Sequence, residues 1–497
     1  MSRTTMLNRR RFVELSGAAA ASLTLAACGS SEGDGGSSST SSAASTSLPS
    51  HVKSVTAIDR VYGDGLKLVA IAVEYDATIL TSGLGSSAFT VADRTITNVY
   101  ANTAAALADS GTDGTYVIIE MSTDDSAAAL WQTDTVSSDD LSSRSSDGPS
   151  GDRPSGAPSG MASGMASGMA SDAASGMPSS DASDGAGGGM EIERLSDASA
   201  SITQKSALRT ASGSSIAASD SAFGVTAEIR LIVDDFVQKT YQDSQTGESL
   251  PYNLYVPTGY DETKSYPLVL FMHDATVTGS NPLNTLCQGL GAISWASPEA
   301  QAKQAAFVLA PQYDSAVAGD DFTTSDMLPT TVHLVRALTK KYSIDTDRLY
   351  STGQSGGGMQ AIAMDIDYPN LFASTWIVAA QWDPAKVAPL ADKPLWITVA
   401  RGDAKAYPYE NKITKALEKD GATVSRATWN GKWPVAHLDA AAKKQAGEGA
   451  SVNYSIFKKG SVIPSGVEDN ATNEHLCTWQ VAYTIDYIRD WIYQQHK

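Results

Sequence analysis

The stretch Leu349-Tyr350-Ser351-Thr352-Gly353-Gln354-Ser355-Gly356-Gly357-Gly358 decides how this chain folds. Leu349–Thr352 is a short buried-type strand, and Gly357–Tyr368 has the composition of a helix, so strand, sharp turn and helix follow in immediate succession. Between them Ser355 stands with Gly353 two residues before it and Gly357 two residues after. This G-x-S-x-G pattern in strand–turn–helix context bends the backbone too sharply for flanking side chains and projects the serine hydroxyl from the sheet edge. Ser355 is therefore the candidate nucleophile.

Working outward, Phe236–Tyr241 and Tyr252–Val256 form a hairpin-like pair. Buried-type strands follow at Leu268–Met272, Phe307–Ala310, Trp376–Ala379 and Trp396–Val399. Helical segments lie between them, at about Pro329–Tyr342, Gly357–Tyr368 and Glu410–Lys419. Another opens at Ser297, with Pro298 and Glu299 in its first turn. Strands alternating with helices predict an α/β unit with a mostly parallel sheet covered on both faces.

A serine hydroxyl is a weak nucleophile at neutral pH and needs a histidine base oriented by a carboxylate. In this kind of fold the order along the chain is serine, acid, histidine. His437, His475 and His496 lie downstream of Ser355. His496 sits at the frayed C-terminus. His475 is favoured over His437 because it falls after the last expected strand, in a segment taken as a loop before a helical run to Gln495. For the acid, Asp403 follows the Trp396–Val399 strand through a short loop, and Asp383 is the rival one strand earlier. An oxyanion site needs two backbone N–H donors. Gly356 is one, and the His273-Asp274-Ala275-Thr276 loop offers Asp274 or Ala275 as the other, with the Asp274 carboxylate expected to point away.

The N-terminal half has a different texture. Val52–Ile58, Lys67–Tyr75, Thr95–Tyr100, Thr115–Met121, Ala200–Thr203 and Thr226–Val233 are short β-branched runs separated by turn residues, which predicts a β-sandwich. Among them no constellation of titratable residues stands out, so this part is expected to be a scaffold or binding module. A Ser/Gly/Ala/Met-rich insert at 136–192 interrupts it and is expected to be disordered. Its methionines (Met161, Met165, Met169, Met177, Met190) lack a nearby His or Cys, which favours a solvated loop over a copper site.

Asn8-Arg9-Arg10-Arg11-Phe12 precedes a short Ala-rich apolar stretch ending in Leu25-Ala26-Ala27-Cys28. This resembles a twin-arginine export signal joined to a lipobox, with Cys28 as the lipid-attachment residue. The stretch is shorter than the roughly 20 residues of a membrane span. Residues 28–50 are then a flexible tether. The 497 residues include 55 acidic and 36 basic side chains, a net charge of −19 that disfavours nucleic acid and leaves a lipid as the expected route to the membrane. Cys287 and Cys477 could pair in an oxidising compartment, but two buried free thiols are the expectation.

At the Gly353–Gly357 elbow, the Gly402-Asp403 loop and the segment from His475 to Trp479, the sequence resembles the α/β-hydrolase superfamily. More narrowly, it is similar to bacterial esterases of the phospholipase/carboxylesterase type that carry an N-terminal immunoglobulin-like domain. The resemblance implies a signal peptide at 1–27, an immunoglobulin-like domain at 51–235 and an α/β-hydrolase domain at 236–497. It also implies a Ser355–Asp403–His475 triad acting without metal or cofactor on small-molecule or carbohydrate-linked esters. Asp274 and Thr276 stand where that family often has glycines. A peptidase of prolyl-oligopeptidase type shares the triad order, but no blade-length repeat is visible. A catalytically degenerate binding protein is the non-enzyme alternative.

Overall fold

The structure is a computed structural model that describes residues 48–132 and 194–497. The export signal, Cys28, most of the tether and the 136–192 insert lie outside the described residues.

Among the described residues the N-terminal unit is built on ten strands: β1 (Val52–Tyr62), β2 (Gly65–Ile79), β3 (Phe89–Val91), β4 (Ile96–Asn102), β5 (Gly114–Met121), β6 (Ser201–Gln204), β7 (Leu208–Arg209), β8 (Ser215–Ile216), β9 (Phe223–Gly224) and β10 (Ala227–Arg230). A five-stranded sheet has the order β10-β1-β2-β5-β4, and smaller sheets β3-β6-β9 and β7-β8 complete the unit. The pairings among its described strands are antiparallel except β1 with β10. β1 and β2 run longer than the sequence suggests, and each buries most of its side chains. The expected strand Thr226–Val233 is shorter than predicted. It ends at Arg230, because Ile232 adopts a positive φ of 69° and Val233–Asp235 forms a single 3₁₀ turn leading into the next unit.

The second unit has a nine-stranded sheet, formed by β11 (Phe236–Gln242), β12 (Ser249–Tyr255), β13 (Tyr266–Met272), β14 (Phe307–Pro311), β15 (Ile344–Gln354), β16 (Ser374–Val378), β17 (Leu395–Ala400), β18 (Val424–Trp429) and β19 (Val452–Phe457). Their order is β11-β12-β14-β13-β15-β16-β17-β19-β18, antiparallel at the β11-β12-β14 edge and parallel from β14 to β18. β13, β16 and β17 are buried at every position, as a sheet covered on both faces requires. The C-terminal helices Ala471–Ala482 and Asp486–Tyr493 dock through aromatic edges, Tyr483 on Trp376 (4.9 Å between rings) and Trp491 on Trp396 (5.3 Å). The expected helix at Ser297 is present, with the Ala300 N–H donating to Ser297 Oγ.

The β1–β2 turn seats the first unit on the second. A Cβ at Gly63 would lie 2.5 Å from the Gln480 carbonyl oxygen, at the end of the Ala471–Ala482 helix, so backbone meets backbone there. Cys287 and Cys477 are both free and buried, and burial pushes each thiol up to about 12. No helix among the described residues is long and apolar enough to cross a membrane.

The N-terminal unit does contain a titratable cluster, contrary to the sequence expectation. β1 and β10 are about 170 residues apart in sequence but pair in parallel, placing Asp59 beside Arg230, whose Nη2 lies 2.5 Å from Glu228 Oε2. Asp59 is fully buried. Burial, then the hydrogen bond and charge of Glu228, push its carboxyl up to about 9 against the pull of Arg230. The folded protein therefore keeps a proton that the unfolded chain loses above its ordinary carboxyl range. Stability from this group is complete below that range and is lost as pH rises towards 9. We predict that the thermal midpoint falls between about pH 5 and pH 9 and that Asp59→Asn lessens the fall. A variant whose midpoint declines as steeply as wild type would contradict this.

Candidate active site

The elbow forms because the chain must reverse between β15 and the helix Gly356–Asp367 within one residue. Ser355 takes φ 49° and ψ −119°, a strained conformation for a non-glycine residue that costs on the order of 1–3 kcal/mol. Close approach enforces the glycines around it. A Cβ at Gly353 would lie 2.3 Å from the Gly357 carbonyl, and one at Gly357 would lie 2.0 Å from the Met272 carbonyl oxygen. The Ser355 N–H donates to the Val378 carbonyl at the end of β16 (2.9 Å), which ties the turn to the neighbouring strand.

Ser355, His475 and Asp403 come together in one hydrogen-bonded chain. Ser355 Oγ lies 2.8 Å from His475 Nε2, and His475 Nδ1 lies 2.5 Å from Asp403 Oδ2. Because the carboxylate only accepts, the imidazole proton sits on Nδ1 and Nε2 is left to accept from the serine hydroxyl. The Asp403 side chain is 1% exposed and that of His475 21%, so the carboxylate is sealed and the imidazole is partly open to solvent. Asp403 Oδ1 also accepts the N–H groups of Lys405 (2.9 Å) and Ala406 (2.8 Å), where the helix Ala406–Lys419 begins. N–H groups left free by the helix start, together with its positive end, favour an anion there.

His475 lies in the second turn of the Ala471–Ala482 helix, not in the expected loop. Asn470 caps this helix, accepting from the Asn473 N–H at 2.8 Å, and the run to Gln495 is two helices rather than one. The rival residues are elsewhere. His437 is exposed and stacked on Trp433 (4.1 Å between rings), and His496 is exposed beyond the last helix. Asp383 caps its own turn through the Ala385 N–H.

The loop after β13 is held by a buried polar network. The Tyr313 N–H donates to His273 Nε2 (2.9 Å), so the His273 ring proton sits on Nδ1 and donates to the Asp274 carbonyl (2.8 Å). Burial lowers the His273 pKa and keeps the ring neutral. The Asp274 carboxylate is turned inward, where Oδ1 accepts from Thr276 and Oδ2 accepts from Gln354 Nε2 at 2.8 Å. Ala275 is exposed, and its N lies 3.3 Å from where a Cβ on Gly356 would stand. A recess beside these residues is lined by Tyr313, Val317, Ala318, Gly356 and Gln360.

Several supporting residues were not singled out from sequence. Gln354 occupies a variable position of the elbow pattern. Glu474, directly before His475, is buried, accepts from the Gly460 N–H and is raised in pKa by burial. A Cβ on Gly402 would come within 2.4 Å of the Glu474 side chain, which explains the glycine before Asp403. Glu410, one helical turn beyond Ala406, is fully buried behind Asp403. Adjacency to His475 was the one available signal for Glu474. Among the described residues no group of three His, Cys, Asp or Glu converges on a metal-sized site.

Residues 54–217 match the family model described as the esterase Ig-like N-terminal domain. No curated protein matches the chain. Among solved structures the chain is similar to a thermostable esterase, at 24% identity and TM-score 0.68, covering 90% of this chain and 100% of that one. Partial likenesses include a ferulic acid esterase from Anaeromyces mucronatus (14% identity, 50% of this chain and 91% of that one, TM-score 0.32). Another is an S-formylglutathione hydrolase from Agrobacterium tumefaciens (12%, 53% and 96%, TM-score 0.33). The N-terminal unit thus matches the esterase Ig-like domain model, and the chain as a whole shares the fold of that thermostable esterase, a β unit followed by an α/β unit with a mostly parallel sheet.

Proposed function

We propose that the protein is a serine carboxylic-ester hydrolase that works through an acyl-enzyme on Ser355. The observation that carries this reading is the unbroken chain from Ser355 Oγ through His475 to the sealed Asp403, assembled from the turn after β15, the loop after β17 and the helix Ala471–Ala482 that follows β19. In the first half-reaction Ser355 Oγ attacks the ester carbonyl carbon while His475 Nε2 takes the hydroxyl proton. The N–H groups of Gly356 and Ala275 receive the negative charge that develops on the carbonyl oxygen. Ala275 is favoured over Asp274 because it is exposed beside Gly356, whereas Asp274 is buried. Collapse of the intermediate breaks the ester C–O bond, and His475 gives its proton to the leaving alcohol. Water then attacks the acyl-enzyme with His475 again as base, releasing the acid and restoring Ser355.

Substrates would be small-molecule or carbohydrate-linked esters, reached from outside the cell by a chain that the Cys28 lipid holds at the membrane. Asp403 fixes the imidazole tautomer and stabilises the imidazolium without accepting its proton.

Hydrolysis of p-nitrophenyl esters, with a prolyl p-nitroanilide as the peptidase control, tests the reading. Ser355→Ala should lower kcat/KM by on the order of 10⁴–10⁶ with the fold intact, and His475→Ala by a similar factor. His437→Ala should stay within about twofold of wild type. Cleavage of the anilide alone would replace the esterase reading with a peptidase one. Asp403→Asn should cost about 10⁴, as the same exchange does in another serine-hydrolase triad, while Asp383→Asn should cost little. Equal, mild losses in both would leave a Ser–His dyad. For the anchor, Cys28→Ser should move active protein from the membrane fraction to the soluble one. Retention on membranes after a high-salt wash would remove the lipid attachment from the account.

A further inference from the structure

The Glu410 carboxyl takes no part in the chemistry above, yet it is fully buried directly behind the triad acid. Its Oε1 accepts the Ala380 N–H at 2.9 Å, and its Oε2 is buried with no hydrogen-bond partner among the described residues. Ala380 ends the segment Val378-Ala379-Ala380, in which Ala379 has a φ of 49°, a left-handed conformation that a non-glycine residue seldom adopts. Two further contacts tie that segment to the site. Its Val378 carbonyl receives the Ser355 N–H, and a Cβ on Gly358 would lie 2.6 Å from the Ala380 Cβ.

We propose that Glu410 is a positioning residue for this site: by holding the Ala380 amide it fixes the strained Val378–Ala380 segment, and through that segment the backbone of Ser355. The assignment rests on the serine-hydrolase reading above. Glu410 does this as a neutral carboxylic acid. Burial first, and then the nearby Asp403 charge, raise its pKa well above the usual carboxyl range despite the Ala380 N–H. The titratable or charged groups around this corner are Asp403 from the loop after β17, Tyr454 from β19, Tyr407 from the helix of Glu410 itself and Arg426 from β18. With Glu410 neutral, it adds no second negative charge beside Asp403. Glutamine should therefore replace Glu410 well, because it is neutral and keeps the acceptor oxygen.

The test compares wild type, Glu410→Gln and Glu410→Leu in the whole protein. Three quantities are measured: kcat and KM across pH on a p-nitrophenyl ester, the rate of Ser355 phosphonylation by a fluorophosphonate, and the NMR titration of the His475 imidazole. Glu410→Gln should keep kcat within about threefold, with an unchanged pH profile and an unchanged His475 titration. Glu410→Leu should lose on the order of 10–100-fold in kcat, with KM within about twofold and a parallel fall in phosphonylation. Full activity in the leucine variant would overturn the positioning role. A glutamine variant whose acidic limb and His475 titration both move to lower pH would show an ionised Glu410 and overturn its neutral state, and this arm holds even if the leucine variant does not fold. A wild type that labels at Ser355 but hydrolyses no ester would sink the functional reading alone, since phosphonylation and the His475 titration would still report on Glu410.

Discussion

The left-handed turn at Ser355 is the constraint on which the rest of the site depends. A strand that ends in a helix within one residue leaves no room for side chains at the crossing. Gly353 and Gly357 are therefore set by neighbouring backbone that a Cβ would meet at under 2.5 Å rather than by flexibility. The strain at Ser355 is held by neighbours that are themselves fixed. The Val378 carbonyl takes the serine N–H, and the loop after β13 is locked by His273, Gln354 and Asp274. Pre-ordering of this kind matters because donors aimed at a developing charge help most when they need not reorganise.

Around this turn the structure places carboxyl groups in two different electrostatic settings. Asp403 is sealed, but two backbone amides at a helix start and the His475 N–H compensate its charge. Glu410 and Glu474 are buried with fewer sources of compensation, one backbone amide for Glu410, and burial drives both towards the neutral form. The same physics operates far from the site at Asp59, where a paired carboxyl lies between β1 and β10. A chain with a net charge of −19 thus protonates part of its buried acid, while Asp403 stays where backbone amides can reach it.

Much of this architecture was legible in the sequence because strong local signals coincide with global ones. The elbow is a contiguous pattern, the strands flanking it are apolar along their length, and the Asp403 loop follows one of them directly. The edge strand β18 was missed because it alternates in burial. β19 was missed because Asn453 and Ser455 interrupt its apolar run, although both are buried. The sequence suggests a loop at His475, but an asparagine cap at Asn470 starts the helix earlier than the apolar periodicity implies. Glu410, Gln354 and the Asp59–Glu228 pair were invisible for another reason. Their meaning comes from partners 30 to 171 residues away, brought together only by parallel strand pairing and helix docking.

The account's central claim is that Ser355 forms a covalent acyl intermediate that His475 then helps water to cleave. Mass spectrometry of the His475→Ala protein after prolonged exposure to an activated p-nitrophenyl ester tests it most directly, because losing the base slows both the formation and the hydrolysis of the intermediate while leaving the nucleophile in place. The account predicts the acyl mass on the peptide containing Ser355 and its absence when Ser355→Ala is added. An unmodified Ser355 peptide with the acyl group on another residue, or undiminished turnover with no adduct, would contradict it.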